Sequence, residues 1–361
     1  MTKTEPHPDL RDAITFGLQS NVEKVSQEWE SLSTDSRHQI WRVRAEPEAI
    51  IVKAYLPDVD RYYAHRWRRE ERALDLLNRH APGLAPQPLT AVHASNRWAA
   101  LAMQHVGETT LANTLSQPNV RSHHEQLDAA LATLGQMRET TAHLRSMFRA
   151  LVYESDLDRI TRSTLERRYA AAFVRMNNPT AQLDPTSRPR QIAPNAPWDL
   201  LSPLIKPLIR NPRDVIHNGF SPLNLMWNQN RLSIIDWETL AIAAAEIDLA
   251  DLLTFPAWGE PHAMVERSHE LIDDLGLRPA AFWAAATERS LTYAATSNVR
   301  INRLKKQDPK LSSIYEQRLP AYFEWFQLAS TELVPNMTDR VRLWDAFTTR
   351  STSFHPSVHS S

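Results

Sequence analysis

The hydrophobic pattern changes once along the chain, and this change constrains the fold more than any other feature. Two β-branched and aromatic runs, 40–44 and 50–55, flank the turn Glu46-Pro47-Glu48 and predict a pair of strands. Apolar residues at helical spacing then predict a long helix over about 58–79, and the run 98–103 predicts another strand. The first ~105 residues therefore predict the order strand, strand, helix, strand.

From Thr109 onward the apolar spacing is mostly that of helices. Short apolar runs at 215–216, 223–227 and 232–235 interrupt it and predict short strands between turns. The stretch 177–197 contains five prolines and no periodicity, which predicts a loop or an inserted flap. A small mixed part followed by a larger helical part indicates an α+β chain.

Composition excludes several kinds of site. The chain of 361 residues contains no cysteine, so a disulfide scaffold, a Cys-ligated zinc and a cysteine nucleophile are excluded. The net charge is 41 − 42 = −1, which argues against a dominant nucleic-acid-binding role. The polar start, 1–10, lacks the apolar core of a signal peptide, and no stretch approaches the ~20 apolar residues of a membrane span. We therefore expect a soluble, cytoplasmic protein that binds neither nucleic acid nor membrane.

One segment carries most of the chemical information. It reads V-I-H-N-G-F-S-P-L-N-L-M-W over 215–227, then I-I-D-W-E over 234–238, then E-I-D-L-A over 246–250. This order of residues resembles the catalytic core of the aminoglycoside phosphotransferase and choline kinase family, whose pattern is roughly V-x-H-G-D-x-x-x-x-N, a hairpin, I-D-W-E and then D-L-A. The resemblance implies that His217 is a brace, a side chain that holds the catalytic loop in place, and that Asp248 is a structural acid in the following helix.

The same resemblance implies a metal site. Asp236 ends an apolar strand and corresponds to the family's main metal ligand, and Asn224 corresponds to a second ligand that offers a side-chain carbonyl. Mg²⁺ prefers oxygen ligands, usually one or two carboxylates together with phosphate oxygens. Mg²⁺ and ATP are thus the expected cofactors.

The N-terminal part extends the resemblance to about residues 35–255. Lys53, in I-I-V-K-A-Y, corresponds to the family's strand lysine that contacts ATP phosphates, and R-E-E-R-A-L over 69–74 makes Glu70 its expected ion-pair partner. The run 101–108 corresponds to the strand and hinge that hold the adenine, which assigns Gln104 and His105 to nucleotide binding.

Two departures from the family pattern bear on activity. Gly219 occupies the third position of H-x-D, where the family has its catalytic Asp, and the expected phosphate-binding turn at 32–39 contains no glycine. A glycine cannot accept a proton from a substrate hydroxyl. Three explanations stay open: a slow kinase, a neighbouring acid (Asp214 or Glu238) that replaces the Asp, or transfer of AMP instead of a phosphoryl group.

The resemblance implies a two-lobed, protein-kinase-like α+β fold, with an antiparallel sheet in a small mixed N-lobe and a larger, mostly helical C-lobe. The expected divisions are an N-terminal extension (1–30), the N-lobe (31–107), the C-lobe (108–347) and a disordered tail (348–361). Within the C-lobe, 213–250 is the expected catalytic segment.

The function that follows is ATP- and Mg²⁺-dependent phosphoryl transfer to a hydroxyl of a small metabolite or of a precursor peptide. The alternative is a pseudokinase, a partner-binding or regulatory protein that binds a protein partner, with or without nucleotide, and transfers no phosphoryl group. Gly219 supports the pseudokinase alternative, whereas Lys53, Glu70, Asn224 and Asp236 argue against it, because a pure scaffold has no chemical need for them.

Overall fold

The computed structural model describes residues 5–19, 21–32, 38–58, 62–117, 122–153, 160–184, 187–210, 214–228 and 231–348. The chain forms two compact units, the first comprising 1–158 and 217–241, the second 159–216 and 242–361. Most of the expected phosphate-binding turn (33–37) and nearly all of the expected tail (349–361) lie outside the described residues. The domain boundaries expected from the sequence stay a prediction.

Unit 1 is built on a five-stranded antiparallel sheet with strand order β1-β2-β3-β5-β4. These strands are β1 (Lys24–Ser31), β2 (His38–Glu46), β3 (Ile50–Tyr55), β4 (Pro88–Ala94) and β5 (Trp98–Gln104). The other elements of this unit are α1 (Pro8–Leu18), α2 (Tyr63–His80), α3 (Leu111–Leu115), α4 (His123–His143), α5 (Arg145–Tyr153) and the hairpin β7 (Leu225–Asn228) and β8 (Arg231–Ile234).

The two faces of this sheet are covered differently. On one face, Leu10, Ile14 and Leu18 of α1 pack against Trp41, Val52 and other apolar residues of the sheet. Because side chains alternate along a strand, Lys53 projects to the opposite face, where it meets Glu70 of α2. The apolar face therefore anchors the sheet, and the other face carries charge.

Unit 2 is mostly helical. Its helices are α6 (Arg162–Asn177), α7 (Pro189–Ile192), α8 (Leu201–Ile209), α9 (Glu246–Leu253), α10 (Pro261–Asp274), α11 (Pro279–Leu304), α12 (Pro309–Thr331) and α13 (Met337–Thr348). The short strand β6 (Asp214–Ile216) pairs with β9 (Ala241–Ala243). The long helices α11 and α12 pack against each other, and Phe326 of α12 meets Phe347 of α13 edge to face.

The predicted α+β class, with an antiparallel sheet in the N-terminal part and helices in the C-terminal part, is confirmed. The order strand, strand, helix, strand was incomplete, because α1, β1 and β4 are also present. The predicted loop at 177–197 contains one helical turn, α7, whose end packs Ala193 against Ala170. Among the described residues, no helix combines the length and the apolar character that a membrane crossing requires.

Candidate functional site

Strand β3 places a lysine in a buried, acidic environment. Lys53 Nζ lies 2.8 Å from Glu70 Oε2, 2.5 Å from Asp236 Oδ1 and 3.1 Å from Glu238 Oε2. Only 6% of the lysine side chain is exposed, and its ammonium lies 5.1 Å from the centroid of the Tyr55 ring. We call Lys53, Glu70, Asp236 and Glu238 the Lys53 cluster.

Helix α2 supplies Glu70 to the Lys53 cluster, and its side chain is 1% exposed. The hydroxyl of Tyr55, two residues after Lys53 on β3, donates a hydrogen bond to the same Glu70 oxygen that accepts from Lys53. One turn earlier on α2, Arg66 Nη1 lies 3.4 Å from Glu238 Oε1. The helix therefore contributes a carboxylate to Lys53 and a guanidinium to Glu238.

The turn after β8 supplies the two remaining acids. Asp236 has a left-handed backbone (φ 67°) and a side chain that is 36% exposed, the most exposed of the Lys53 cluster. Glu238 is buried, and its Oε2 lies 2.6 Å from His38 Nε2. The backbone carbonyl of Glu238 accepts a hydrogen bond from Arg69 Nη1 at 2.6 Å, so α2 holds this turn through its backbone as well.

The protonation of the cluster follows from burial and mutual contact. Burial lowers the pKa of Lys53, but the nearby carboxylates of Asp236, Glu238 and Glu70 outweigh it and raise this pKa well above its usual value. Burial raises the pKa of Glu70, and Lys53 only partly offsets that effect. For Glu238, burial also acts upward, but Lys53, His38 and Arg66 together hold the pKa well below its usual range. The site thus keeps a charged ammonium beside carboxylates.

The loop from His217 to Asn224 lies next to the turn that carries Asp236. His217 is fully buried, with Nε2 3.0 Å from the carbonyl oxygen of Ile235 and its ring edge-on to Trp237. Burial lowers the pKa of His217 to about 4, so the imidazole is neutral at pH 7. This geometry suits a side chain that holds the loop in place.

Asn224 closes the same loop. Its Nδ2 donates a hydrogen bond of 2.9 Å to the carbonyl of Gly219, and the other polar atom of the same amide is an oxygen, which can only accept or ligate. The backbone carbonyl of Asn224 accepts from the amide of Ile235 at 3.0 Å, so the position of Asn224 is tied to the residue before Asp236. A Cβ built on Gly219 would lie 3.4 Å from both Asn224 Nδ2 and Thr239 Oγ1, an ordinary contact distance.

Gln104 and His105 lie at the end of β5, apart from these contacts. Gln104 Nε2 lies 3.4 Å from Glu48 Oε2. The backbone N–H of Gln104 donates a hydrogen bond of 2.9 Å to the backbone carbonyl of Gln87. His105 Nδ1 lies 3.8 Å from Glu108 Oε1, and burial lowers the pKa of His105 against the opposing effect of Glu108. Within the described part of the chain, neither side chain contacts the Lys53 cluster.

Sequence reasoning missed His38 and Tyr55 and named Glu238 only as a substitute acid. His38 and Tyr55 stand directly opposite each other on β2 and β3, with ring centroids 4.6 Å apart. Tyr55 could have been found, because it shares a face with Lys53 at a spacing of two residues. His38 gave no such signal, because its place depends on the register of β2 against β3.

The donor set suits a hard divalent cation. Carboxylate oxygens of Glu70, Asp236 and Glu238 all lie within 4.8 Å of one another. Carboxylates and amide carbonyls are the ligands that Mg²⁺ prefers in proteins. Asp236 is the most exposed of the three carboxylates.

The candidate site lies in the part of the chain that matches a known protein family. A sequence model described as the phosphotransferase enzyme family matches residues 28–283. This range contains the whole Lys53 cluster and the loop 217–224. A search of curated protein sequences finds no match to the chain.

Several solved structures share the fold. A putative aminoglycoside phosphotransferase from Ralstonia eutropha is 12% identical, with a TM-score of 0.54, and the match covers 89% of this chain and 98% of that one. An amicoumacin kinase solved with AMP-PNP and Ca²⁺ is 13% identical, with a TM-score of 0.55 over 90% and 94% of the two chains. A spectinomycin phosphotransferase solved with ADP and spectinomycin is 12% identical, with a TM-score of 0.52 over 96% and 99%. At these identities the likeness concerns the fold alone.

Proposed function

Because the chain belongs to the phosphotransferase enzyme family, we propose that it transfers a phosphoryl group from ATP to a hydroxyl group, with Mg²⁺ as the metal. The observation that carries this proposal is the Lys53 cluster, in which one buried ammonium faces three carboxylates. Phosphoryl transfer depends mainly on positioning and on neutralisation of charge, and this cluster supplies groups for both.

Each group has a distinct task in this proposal. Lys53 binds phosphate oxygens through its ammonium, and Glu70 holds that ammonium in place. Asp236 and Asn224 are the residues that would hold Mg²⁺, which supplies neutralisation of the charge on the phosphates. His217 braces the loop through its contact with the Ile235 carbonyl. Gln104 and His105 are assigned to the adenine side, at the end of β5.

The absence of an acid at position 219 sets the expected rate. Glu238 is a poor substitute base, because His38, Lys53 and Arg66 all contact its carboxylate and hold its pKa well below the usual range, which makes it a weak proton acceptor. Glu70 is 1% exposed and accepts from both Tyr55 and Lys53, so it is closed to a substrate. A positioned general base typically contributes ~10²–10⁴-fold to the rate. We therefore propose a slow phosphotransferase whose acceptor hydroxyl loses its proton without a carboxylate at position 219.

For the acceptor, we propose a small molecule that carries a hydroxyl group. The structural relatives include a spectinomycin phosphotransferase and an amicoumacin kinase, whose names specify small molecules. A hydroxyl of a precursor peptide is the other acceptor class that the chemistry allows, and acceptor screening distinguishes the two.

The first test is a thermal-melt titration with ATP, with and without Mg²⁺. A ligand that binds only the folded state raises stability by about 2.7 kcal/mol at a hundredfold excess over its Kd. We expect an increase in Tm that requires Mg²⁺, is strongly reduced in Asp236→Asn and Lys53→Met, and persists in Asp75→Asn. Asp75 is a matched control, because it is an exposed acid of α2 paired only with Arg79 among the described residues.

The outcomes separate the two functional alternatives. Mg²⁺-dependent binding followed by slow ATP turnover or acceptor phosphorylation supports the phosphotransferase. Binding without phosphoryl transfer to any acceptor would favour the pseudokinase, for which Gly219 is the specific observation. No nucleotide binding in the wild type would reject the proposed function.

A further inference from the structure

Five side chains form a closed circuit of contacts in unit 1. Lys53 contacts Glu70, Glu70 accepts from Tyr55, and the Tyr55 ring packs on that of His38. His38 in turn contacts Glu238 at 2.6 Å, and Glu238 returns to Lys53 at 3.1 Å. Two of the three carboxylates that flank the ammonium, Glu70 and Glu238, are therefore each in contact with an aromatic side chain, and the two aromatic side chains pack on each other.

The circuit follows from strand register. His38 and Tyr55 are direct partners across β2 and β3, and Lys53 lies two residues before Tyr55 on the same face. Every member of the circuit is buried, whereas Asp236, the third carboxylate on Lys53, is 36% exposed and lies outside it. Among the described partners of Lys53, Asp236 is thus the carboxylate that can exchange for a ligand while the circuit stays intact.

The functional consequence concerns the nucleotide. We infer that His38 and Tyr55 are positioning residues for the nucleotide phosphates, because they hold the two carboxylates that aim the Lys53 ammonium at the Asp236 side of the site. This inference rests on the proposed function. A lysine side chain has four rotatable bonds, so an ammonium fixed from two sides loses less entropy when it binds a phosphate.

His38 also has a particular place in the chain. It is the first residue of β2, and its ring contacts Glu238. A side-chain contact therefore joins the start of β2 to the acid two residues after Asp236. This contact connects the strand that pairs with β3 to the turn that carries Asp236.

The test compares ligands with and without phosphates. We expect Tyr55→Phe to weaken binding of MgATP and MgADP by about tenfold, the value of one hydrogen bond to a charged group. Binding of adenosine, which has no phosphate, should stay unchanged. Tyr63→Phe is the matched control: it removes a buried tyrosine hydroxyl that accepts from the Asn96 amide in the same unit, outside the circuit.

Two substitutions at His38 separate a polar role from packing. His38→Phe keeps a ring against Tyr55 but loses the contact to Glu238, whereas His38→Gln keeps a donor and loses the ring. If His38 acts through Glu238, His38→Gln retains more MgATP affinity than His38→Phe. A higher MgATP affinity in His38→Phe than in His38→Gln, or an equal loss of adenosine and MgATP affinity, would mean that both residues act only through packing. Either result would overturn the inference.

A double-mutant cycle tests the circuit without any nucleotide. Opening a closed circuit at one contact reduces the value of the others, so Tyr55→Phe and His38→Phe should cost less stability together than the sum of their separate losses. Additive losses would contradict the circuit. A wild type that binds no nucleotide would reject the proposed function and with it the positioning role, whereas nucleotide binding that is unchanged in both variants would reject the positioning role alone.

Discussion

At the scale of single residues, the most informative pair is Asn218 and Gly219. Asn218 adopts a left-handed backbone (φ 62°), a conformation that asparagine tolerates better than other non-glycine residues. It stands where the H-G-D pattern has glycine, the residue that adopts a positive φ most readily. Gly219 then has no acid to offer, but a Cβ at that position meets Asn224 and Thr239 only at ordinary contact distance.

The first prediction follows from that space. We expect Gly219→Asp to fold and to raise the rate of phosphoryl transfer about a hundredfold, the lower end of what a general base contributes. Gly219→Ala is the control, because it adds the Cβ without the carboxylate. Steady-state ATP turnover and acceptor phosphorylation measure the effect. An equal change in both variants, or no gain in Gly219→Asp, would mean that the missing acid does not limit the rate.

The second prediction concerns His217, whose pKa burial lowers to about 4. Between about pH 6.5 and 4 the unfolded chain binds more protons at this residue than the folded chain does, so its contribution to stability is lost as the pH falls through that window. We expect wild type to lose about 2 kcal/mol more than His217→Gln between pH 7 and pH 5. Urea denaturation at the two pH values measures it, and identical losses would contradict a buried neutral imidazole.

At the scale of secondary-structure elements, the sequence predicted the interior of the sheet better than its edges. The central strands β2, β3 and β5 carry dense apolar runs and were predicted, whereas β1 and β4, the two edge strands, were not. An edge strand has one neighbour and is partly exposed, so its residues need not be apolar, and β4 even begins with a proline.

The candidate site likewise contains residues that the sequence predicted and residues that it did not. Lys53, Glu70, Asn224 and Asp236 belong to local patterns that a single segment carries, so sequence reasoning could find them. The contact of His38 with Glu238 joins residues 200 positions apart in the chain, and it depends on the register of β2 against β3 and on the turn after β8. No local pattern specifies such a contact.

The third prediction concerns the helices of unit 2. Arg289 of α11 lies 3.0 Å from Asp251 of α9, and both side chains are buried. Arg289→Met leaves the Asp251 carboxylate buried without its cation, which typically costs about 3–5 kcal/mol of stability. Arg342→Met is the control, because its pair with Asp199 in the same unit is exposed, and exposed ion pairs contribute little to stability. Denaturant titrations compare the variants, and equal losses would contradict the predicted dependence on burial.

At the scale of the whole molecule, all residues assigned to nucleotide and metal lie in unit 1, although the chain reaches them in separate passes. Lys53, Glu70, Gln104 and His105 come from 1–158, and the loop with Asn224 and Asp236 comes from 217–241. The chain passes from unit 2 to unit 1 after β6, forms 217–241 there, and returns to unit 2 at β9. The strands β6 and β9 pair with each other. Ligand binding in unit 1 therefore concerns two stretches of chain that are far apart in sequence.

This arrangement leads to the last prediction, on hydrogen exchange. At short labelling times amide exchange reports local opening, and a bound ligand slows only the openings that disrupt its site. MgATP should therefore slow exchange in β3, in the middle of α2 and in 217–238, and leave α11 and α12 unchanged. Asp236→Asn with the same nucleotide is the control and should show little slowing. Equal slowing of α11 and α12 at short times would mean that the nucleotide acts on unit 2 as well, which contradicts a site built from unit 1 alone.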